Sequence, residues 1–132
     1  MTESRASVDI PTGNYIGGTF RAARSGATDS VLDPATGDVL AHVASSDAGD
    51  VHDAVSAASD AFVSWSRTTP RERFERITAL ADAVATDLPN LQRLESLNVG
   101  KPVSIVDFEF DLTVDNLRFF AAAARFLEGR AA

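Results

Sequence analysis

The C-terminal segment, residues 103–127, carries more apolar surface than one neighbouring helix can cover. Its large apolar residues follow helical spacing but lie on more than one face: Ile105, Phe108, Phe110, Leu112, Leu117, Phe119, Phe120 and Phe126. A helix at a protein surface needs only one apolar stripe. The segment therefore predicts a helix that is covered from several sides, and a chain of 132 residues supplies few elements that could cover it.

A second helical pattern starts near Asp47 and is simpler. Its apolar residues form a single stripe with spacings of three and four: Val51, Ala54, Val55, Ala58, Ala61, Phe62 and Trp65. Ser46 or Asp47 can cap its N-terminus, because short polar side chains accept hydrogen bonds from the first free backbone amides.

The next helix has a start signal of its own. Thr69, Pro70 and Glu72 occupy the N-cap, first and third positions of a capping box. Its buried face is predicted to be Phe74, Ile77, Leu80, Ala81, Val84 and Leu88. Pro89 then marks a break or a new first turn, and helical spacing resumes until Gly100, a natural helix stop.

The residues before Asp47 predict β structure. In Asp33 to Gly37, Pro34 presets a type I turn and Gly37 can take a positive φ. The segment YIGGTF, residues 15–20, resembles a short strand with a glycine turn. We therefore expect an α+β chain with a mobile N-terminus (1–12), a β-hairpin region (13–44) and a helical region of three or four helices (46–129).

Composition excludes several classes of function. The formal charge of -7 disfavours nucleic acid as a partner. The absence of cysteine excludes disulfides and thiolate metal sites, and two histidines are too few for a zinc cluster. No stretch approaches the roughly 18 apolar residues of a membrane span. The polar start shows no signal peptide, so a soluble cytoplasmic protein is expected.

Individual charged side chains favour structural roles. His42 falls in a predicted strand and His52 in the first turn of a helix, so each is read as solvated or packed rather than as a catalytic base. Lys101 follows a helix end, where it could bind an anion, but it more readily satisfies the helix carbonyls. Arg118 is predicted to pair along its own helix, with Asp111, Asp115 or Glu109 as candidates.

Four motifs in order carry a resemblance to a known family. They are YIGGTF (15–20), DPATGDVL (33–40), ESLNVGKP (95–102) and DNLRFFAAAARFLEG (115–129). Together they resemble the N-terminal part of an aldehyde dehydrogenase, and are most similar to the branch acting on aminoaldehydes and betaine aldehyde. The resemblance implies that residues 13–132 are the N-terminal part of the cofactor domain in an α/β aldehyde dehydrogenase fold.

The resemblance also implies what this chain does not contain. In the family a cysteine thiolate attacks the aldehyde and NAD or NADP accepts the hydride. The cysteine, the general-base glutamate, the oxyanion-stabilising asparagine and the dinucleotide-binding sheet all lie further along the sequence. We therefore assign no catalytic or cofactor-binding residue here, and expect NAD or NADP to bind the full-length relative and not this chain alone.

One site is implied within the chain, a monovalent cation site. Its ligands would be the main-chain carbonyls of Val31 and Leu32 and the carboxylate of Glu109, since hard oxygen ligands suit such an ion. Further ligands would come from sequence outside this chain.

Two interpretations of the whole chain remain open. The first is an inactive N-terminal fragment of an aldehyde dehydrogenase, which would bind the remainder of that polypeptide or associate with itself. The second is a non-catalytic helical interaction module derived from the family. The chain stops just past a helix, where the family continues, so truncation is expected. The fragment interpretation predicts that several of the five phenylalanines after residue 107 are exposed to solvent.

Overall fold

The computed structural model describes residues 10–126, which form two antiparallel hairpins followed by four helices. The elements are β1 (Asn14–Ile16), β2 (Thr19–Arg21), β3 (Thr28–Leu32), β4 (Val39–Ala44), α1 (Ala48–Trp65), α2 (Pro70–Thr86), α3 (Leu88–Val99) and α4 (Val103–Ala123). Residues 1–9 and 127–132 lie outside the described range. Most of the predicted mobile N-terminus therefore falls outside it, as does Leu127, where the last helix was expected to end.

The first hairpin turns on two glycines. Gly17 and Gly18 both have positive φ, 61° and 84°, as a type I′ turn requires. The turn places the ring of Tyr15 4.9 Å from that of Phe20, centroid to centroid, and both rings are exposed. The predicted glycine turn is confirmed, but it joins two strands and opens no helix.

The second hairpin has the predicted turn. The carboxylate of Asp33 accepts a hydrogen bond from the amide of Ala35 at 2.8 Å, and its carbonyl accepts one from the amide of Gly37 at 2.7 Å. Gly37 has a φ of 79°. After Val31 the pairing with β4 shifts by one residue, so Leu40 is the extra residue of a β-bulge.

Helix α1 is anchored at its N-terminus and exposed along its length. Asp47 caps it, as predicted, and forms a capping box with Asp50. The Asp50 side chain is buried and accepts hydrogen bonds from the amides of Arg24 and Asp47, both at 3.0 Å. The predicted apolar stripe exists, but its larger residues have little cover within residues 10–126, with Phe62 exposed by 62%.

The small core lies between α2 and α4. Thr69 caps α2 and completes the predicted capping box with Glu72, while Pro70 is its first residue. The fully or nearly fully buried residues at this contact and along α4 are Ala81, Val106, Val114 and Ala121. Leu80 was predicted to be buried and is exposed by 49%, so that part of the prediction is wrong.

The last two helices meet at a tight junction. Pro89 lies in the first turn of α3, and α3 ends at Gly100, which has a left-handed φ of 71°. Both features agree with the sequence patterns. Helix α4 ends at Ala123, earlier than predicted, with Ala124 as its C-cap. Within residues 10–126, no helix has the length and apolarity needed to cross a membrane.

The prediction of exposed phenylalanines is confirmed. Phe108, Phe119, Phe120 and Phe126 are exposed by 65% or more, and Phe110 is half-buried. Within residues 10–126, the rings of Phe108, Phe119 and Phe120 on α4 are therefore largely uncovered.

Candidate functional site

A charged cluster joins the end of α3 to α4. The ammonium of Lys101 lies 3.0 Å from a carboxylate oxygen of Glu95 and 2.5 Å from one of Glu109. The left-handed Gly100 turns the chain here, and the hydroxyl of Ser96 donates to the carbonyl of Lys101 at 2.8 Å. The Lys101 side chain is thereby held between α3 and α4.

The cluster keeps Lys101 charged. Hydrogen bonds to Glu109 first and to Glu95 second raise the pKa of Lys101 above its usual range. A lysine that acts as a nucleophile or base needs a lowered pKa, so the electrostatics oppose that chemistry. The sequence predicted that the ammonium of Lys101 contacts carbonyls at the end of the helix. That prediction is wrong, because the ammonium pairs with the carboxylates of Glu95 and Glu109 instead.

The residues assigned to a monovalent cation lie in two parts of the fold. Val31 and Leu32 end β3 beside the β-bulge, where the regular pairing of backbone groups is interrupted. Glu109 is in α4, and the ammonium of Lys101 already neutralises part of its charge. The backbone carbonyls of Val31 and Leu32 at the bulge suit a hard cation. The ammonium of Lys101, however, would compete with that cation for the carboxylate of Glu109. The assignment stays a prediction.

An apolar groove lies beside this cluster. Its volume is about 440 Å³, and its apolar lining comes from the second hairpin, α3 and α4, including Val31, Leu40, Leu91, Leu94, Leu97 and Phe110. Glu95 and Asn98 are the polar residues of the lining. The groove presents few polar groups that could direct a reaction, so it is better suited to packing than to catalysis.

The histidines do not form an enclosed catalytic site. His42 and Ser30 are paired residues of β4 and β3, and their side chains approach to 3.2 Å, Nδ1 to Oγ. Both side chains are exposed, so water is not excluded from the pair. His52 is exposed in the second turn of α1, one turn later than predicted. Within residues 10–126, no three His, Cys, Asp or Glu side chains cluster as a metal site would require.

Gly17 and Gly18, the adjacent glycines of the chain, do not form a phosphate-binding loop. Gly17 and Gly18 lie in the β1–β2 turn, whereas a dinucleotide-binding loop connects a strand to the N-terminus of a helix. The β1–β2 turn is therefore not a dinucleotide-binding loop.

Comparison with known proteins identifies the fold. The model of the aldehyde dehydrogenase family matches residues 20–132, most of the chain. The chain belongs to the aldehyde dehydrogenase family. An aldehyde dehydrogenase of Vibrio cholerae is 39% identical over 119 residues, which cover 89% of this chain and 24% of that protein.

Two further proteins support the assignment to this family. Aminoacetaldehyde dehydrogenase of Pseudomonas aeruginosa is 39% identical over 119 residues, 88% of this chain and 24% of the relative. The crystal structure of PnpE in complex with nicotinamide adenine dinucleotide superposes with a TM-score of 0.89 at 33% identity, covering 93% of this chain and 26% of that one. The chain thus spans about a quarter of the length of these relatives, and the expected α+β portion of the family fold is confirmed.

Proposed function

We propose that this chain is the N-terminal scaffold of an NAD(P)-dependent aldehyde dehydrogenase. The observation that supports the proposal is the uncovered apolar face of α4. The segment that carries this face superposes on about a quarter of a solved relative with a TM-score of 0.89. A self-sufficient module would bury such surface, because each large apolar side chain removed from water contributes roughly 1.5–3 kcal/mol. In this proposal the rest of the enzyme covers it.

The proposed reaction is oxidation of an aldehyde to a carboxylic acid. NAD or NADP, bound by the rest of the enzyme, would supply the hydride acceptor. This chain has no cysteine to act as the nucleophile. The serine that lies beside a histidine, Ser30 next to His42, is exposed to solvent. Its role is to support the cofactor domain, and the chain alone is proposed to be inactive and not to bind the dinucleotide.

An aminoaldehyde is the proposed substrate class. One relative at 39% identity is an aminoacetaldehyde dehydrogenase, and a betaine aldehyde dehydrogenase of Staphylococcus aureus matches the fold at 26% identity. The sequence motifs after Glu95 favour the same branch. We also propose that the enzyme is cytoplasmic, as the sequence predicts.

The cation site belongs to the same proposal. Val31 and Leu32 would offer carbonyls and Glu109 a carboxylate to a monovalent cation in the longer enzyme. The β-bulge at the end of β3 supports Val31 and Leu32 as carbonyl ligands. The ion pair between Lys101 and Glu109 argues against Glu109 as the carboxylate ligand.

A chimeric enzyme tests the scaffold role. Residues 14–126 would replace the matching N-terminal quarter of the Pseudomonas aminoacetaldehyde dehydrogenase. We expect NAD-dependent oxidation of aminoacetaldehyde by the chimera, and none by the isolated chain or by the relative without its N-terminal quarter. A chimera that folds but oxidises no aldehyde would contradict the proposal and favour the interaction module.

A further inference from the structure

A pocket of about 510 Å³ lies where α1 ends and α2 begins. Its lining contains one aromatic ring, two guanidinium groups and one carboxylate, which belong to Trp65, Arg67, Arg76 and Glu72. The pocket shares no residue with the apolar groove beside Lys101. It is therefore a separate feature of the fold, and the proposed scaffold role makes no use of it.

The short connection between α1 and α2 is held by hydrogen bonds. The hydroxyl of Thr68 donates to the carbonyl of Trp65 at 2.7 Å, and Nε of Arg73 donates to the same hydroxyl at 3.0 Å. The amide of Arg67 donates to the carbonyl of Ser64 at 3.2 Å. These bonds fix the backbone around Trp65 and Arg67, so little order has to be gained when a ligand binds.

Arg73 is already engaged at this junction. Its guanidinium carbon lies 5.7 Å from the centroid of the Trp65 ring. One guanidinium nitrogen donates to the carbonyls of Ser66 and Trp65, at 3.3 and 3.5 Å. A cation is favourable at the C-terminal end of a helix, where carbonyls lack partners. Arg73 therefore stabilises the end of α1, and it does not line the pocket.

Arg67 and Arg76 differ from Arg73 in this respect. Both line the pocket and are exposed, and neither side chain forms a hydrogen bond or an ion pair within residues 10–126. Two guanidinium groups against the single carboxylate of Glu72 leave the lining positive, on a chain whose formal charge is -7. A local positive field of this kind attracts anions.

The carboxylate of Glu72 belongs to the helix cap. One of its oxygens accepts hydrogen bonds from the amide and the hydroxyl of Thr69, at 2.7 and 2.9 Å. These hydrogen bonds lower the pKa of Glu72, and the charge of Arg76 lowers it further. Because the carboxylate is occupied by the cap, donors of Arg67 and Arg76 stay available to a ligand.

The residue types in the lining select the ligand. Guanidinium groups bind carboxylates and phosphates through paired N–H donors. The indole of Trp65 is 37% exposed and offers aromatic surface to a planar ring. The volume lies within the roughly 300–1,000 Å³ of small-molecule sites. We infer that this pocket binds a small aromatic molecule bearing a phosphate or carboxylate group, with the anion on Arg67 and Arg76 and the ring against Trp65.

The fluorescence of Trp65 tests this site directly, because the chain has a single tryptophan. Phenyl phosphate and benzoate present the two kinds of anion on the same ring. Benzyl alcohol is the matched neutral ring, and inorganic phosphate and acetate are the anions without a ring. We expect phenyl phosphate, benzoate or both to change the fluorescence saturably, with a Kd at least about tenfold below those of the three controls. The tighter probe identifies the anion that the pocket prefers.

Substitutions locate the binding. Arg67→Gln and Arg76→Gln should each raise the Kd of the tighter probe by about tenfold or more, since each removes one guanidinium. Arg71→Gln is the matched control and should leave the Kd unchanged, because Arg71 pairs with Glu75 and does not line the pocket. All three positions are exposed, and circular dichroism verifies that the variants keep their helices.

Several outcomes would overturn the inference. These are no saturation by either aromatic anion below about 10 mM, binding of benzyl alcohol or of a free anion as tight as that of the aromatic anions, or an effect of Arg71→Gln equal to that of Arg67→Gln. The activity of the chimeric enzyme is measured separately. A functional chimera together with a failed titration would reject this pocket and leave the scaffold role intact.

Discussion

The ammonium of Lys101 lies 2.5 Å from a carboxylate oxygen of Glu109 and thereby ties the loop after α3 to the first half of α4. Glu95 completes the cluster from α3 at 3.0 Å. One positive charge thus separates two carboxylates on different helices. Lys101 thus links α3 to α4, and these helices frame the apolar groove together with the second hairpin.

Lys101→Met should lower the melting temperature of the chain, because it leaves Glu95 and Glu109 close together without a cation. The pKa of Lys101 is raised in the folded state. Its stabilisation is therefore complete below the ordinary lysine pKa of 10.5 and is lost as pH rises through the higher folded-state value. The difference between wild type and variant should be constant near neutral pH and shrink above pH 10.5.

Arg71→Met is the matched control for this experiment. Arg71 pairs with Glu75 at 2.8 Å on the exposed side of α2, where ion pairs contribute little. An effect of Lys101→Met no larger than that of Arg71→Met would show that the cluster does not hold the two helices.

Thr69→Ala should destabilise the chain by about 1 kcal/mol, since the hydroxyl accepts a hydrogen bond from the amide of Glu72 as the N-cap of α2. Thr69→Ser keeps the hydroxyl and should have a much smaller effect. Urea denaturation monitored by circular dichroism measures both. A free energy of unfolding unchanged by Thr69→Ala would show that the cap contributes nothing to stability.

The capping box of Thr69 and Glu72 should also make the stability of the chain sensitive to acid. Hydrogen bonds from the backbone and then the side chain of Thr69 lower the pKa of Glu72. A carboxylate with a lowered folded-state pKa stabilises the fold above its ordinary value of 4.5 and loses that contribution as pH falls through the lower value. The stability difference between wild type and Glu72→Gln should therefore shrink below pH 4.5. A difference that stays constant down to about pH 2 would contradict the linkage.

Asp50→Ala should cost about 1–3 kcal/mol, because it leaves the amides of Arg24 and Asp47 without the buried carboxylate that accepts from them. The change should also free the loop before β3 from α1, which hydrogen exchange at the amide of Arg24 would detect. Asp60→Ala, at an exposed position of the same helix, is the control and should be close to neutral. Equal effects of the two substitutions would refute the anchoring role.

The features that sequence predicted correctly are encoded within a few residues. The turn from Asp33 to Gly37, the capping box of Thr69 and the stop at Gly100 each depend on a local side chain or a positive φ. The apolar surplus of α4 could also be predicted, because periodicity shows how many faces a helix must bury. These predictions needed no knowledge of the tertiary fold.

The predictions that were wrong concern contacts between elements. Arg118 pairs with Asp82 across to α2, not along its own helix, and Lys101 reaches carboxylates on two helices. The buried role of Asp50 was likewise missed, because its partner amide in Arg24 is distant in sequence. Spacing within one helix gives no information about which residues another helix brings near. The ligands proposed for a cation, Val31, Leu32 and Glu109, stay a prediction for the same reason.

The isolated chain should bind a hydrophobic fluorescent dye strongly, and the chimeric enzyme should not. Phe108, Phe119 and Phe120 are exposed by 65% or more, and Phe62 adds a second apolar surface on α1. Such surfaces mark sites that a partner normally covers. Phe119→Ser should reduce dye binding without unfolding the chain, since the side chain contributes little to the core. Dye fluorescence and thermal unfolding would be measured on the same samples. An isolated chain that leaves the dye unbound and sediments as a compact monomer would show that these faces need no cover, and would favour the self-contained module over the enzyme scaffold.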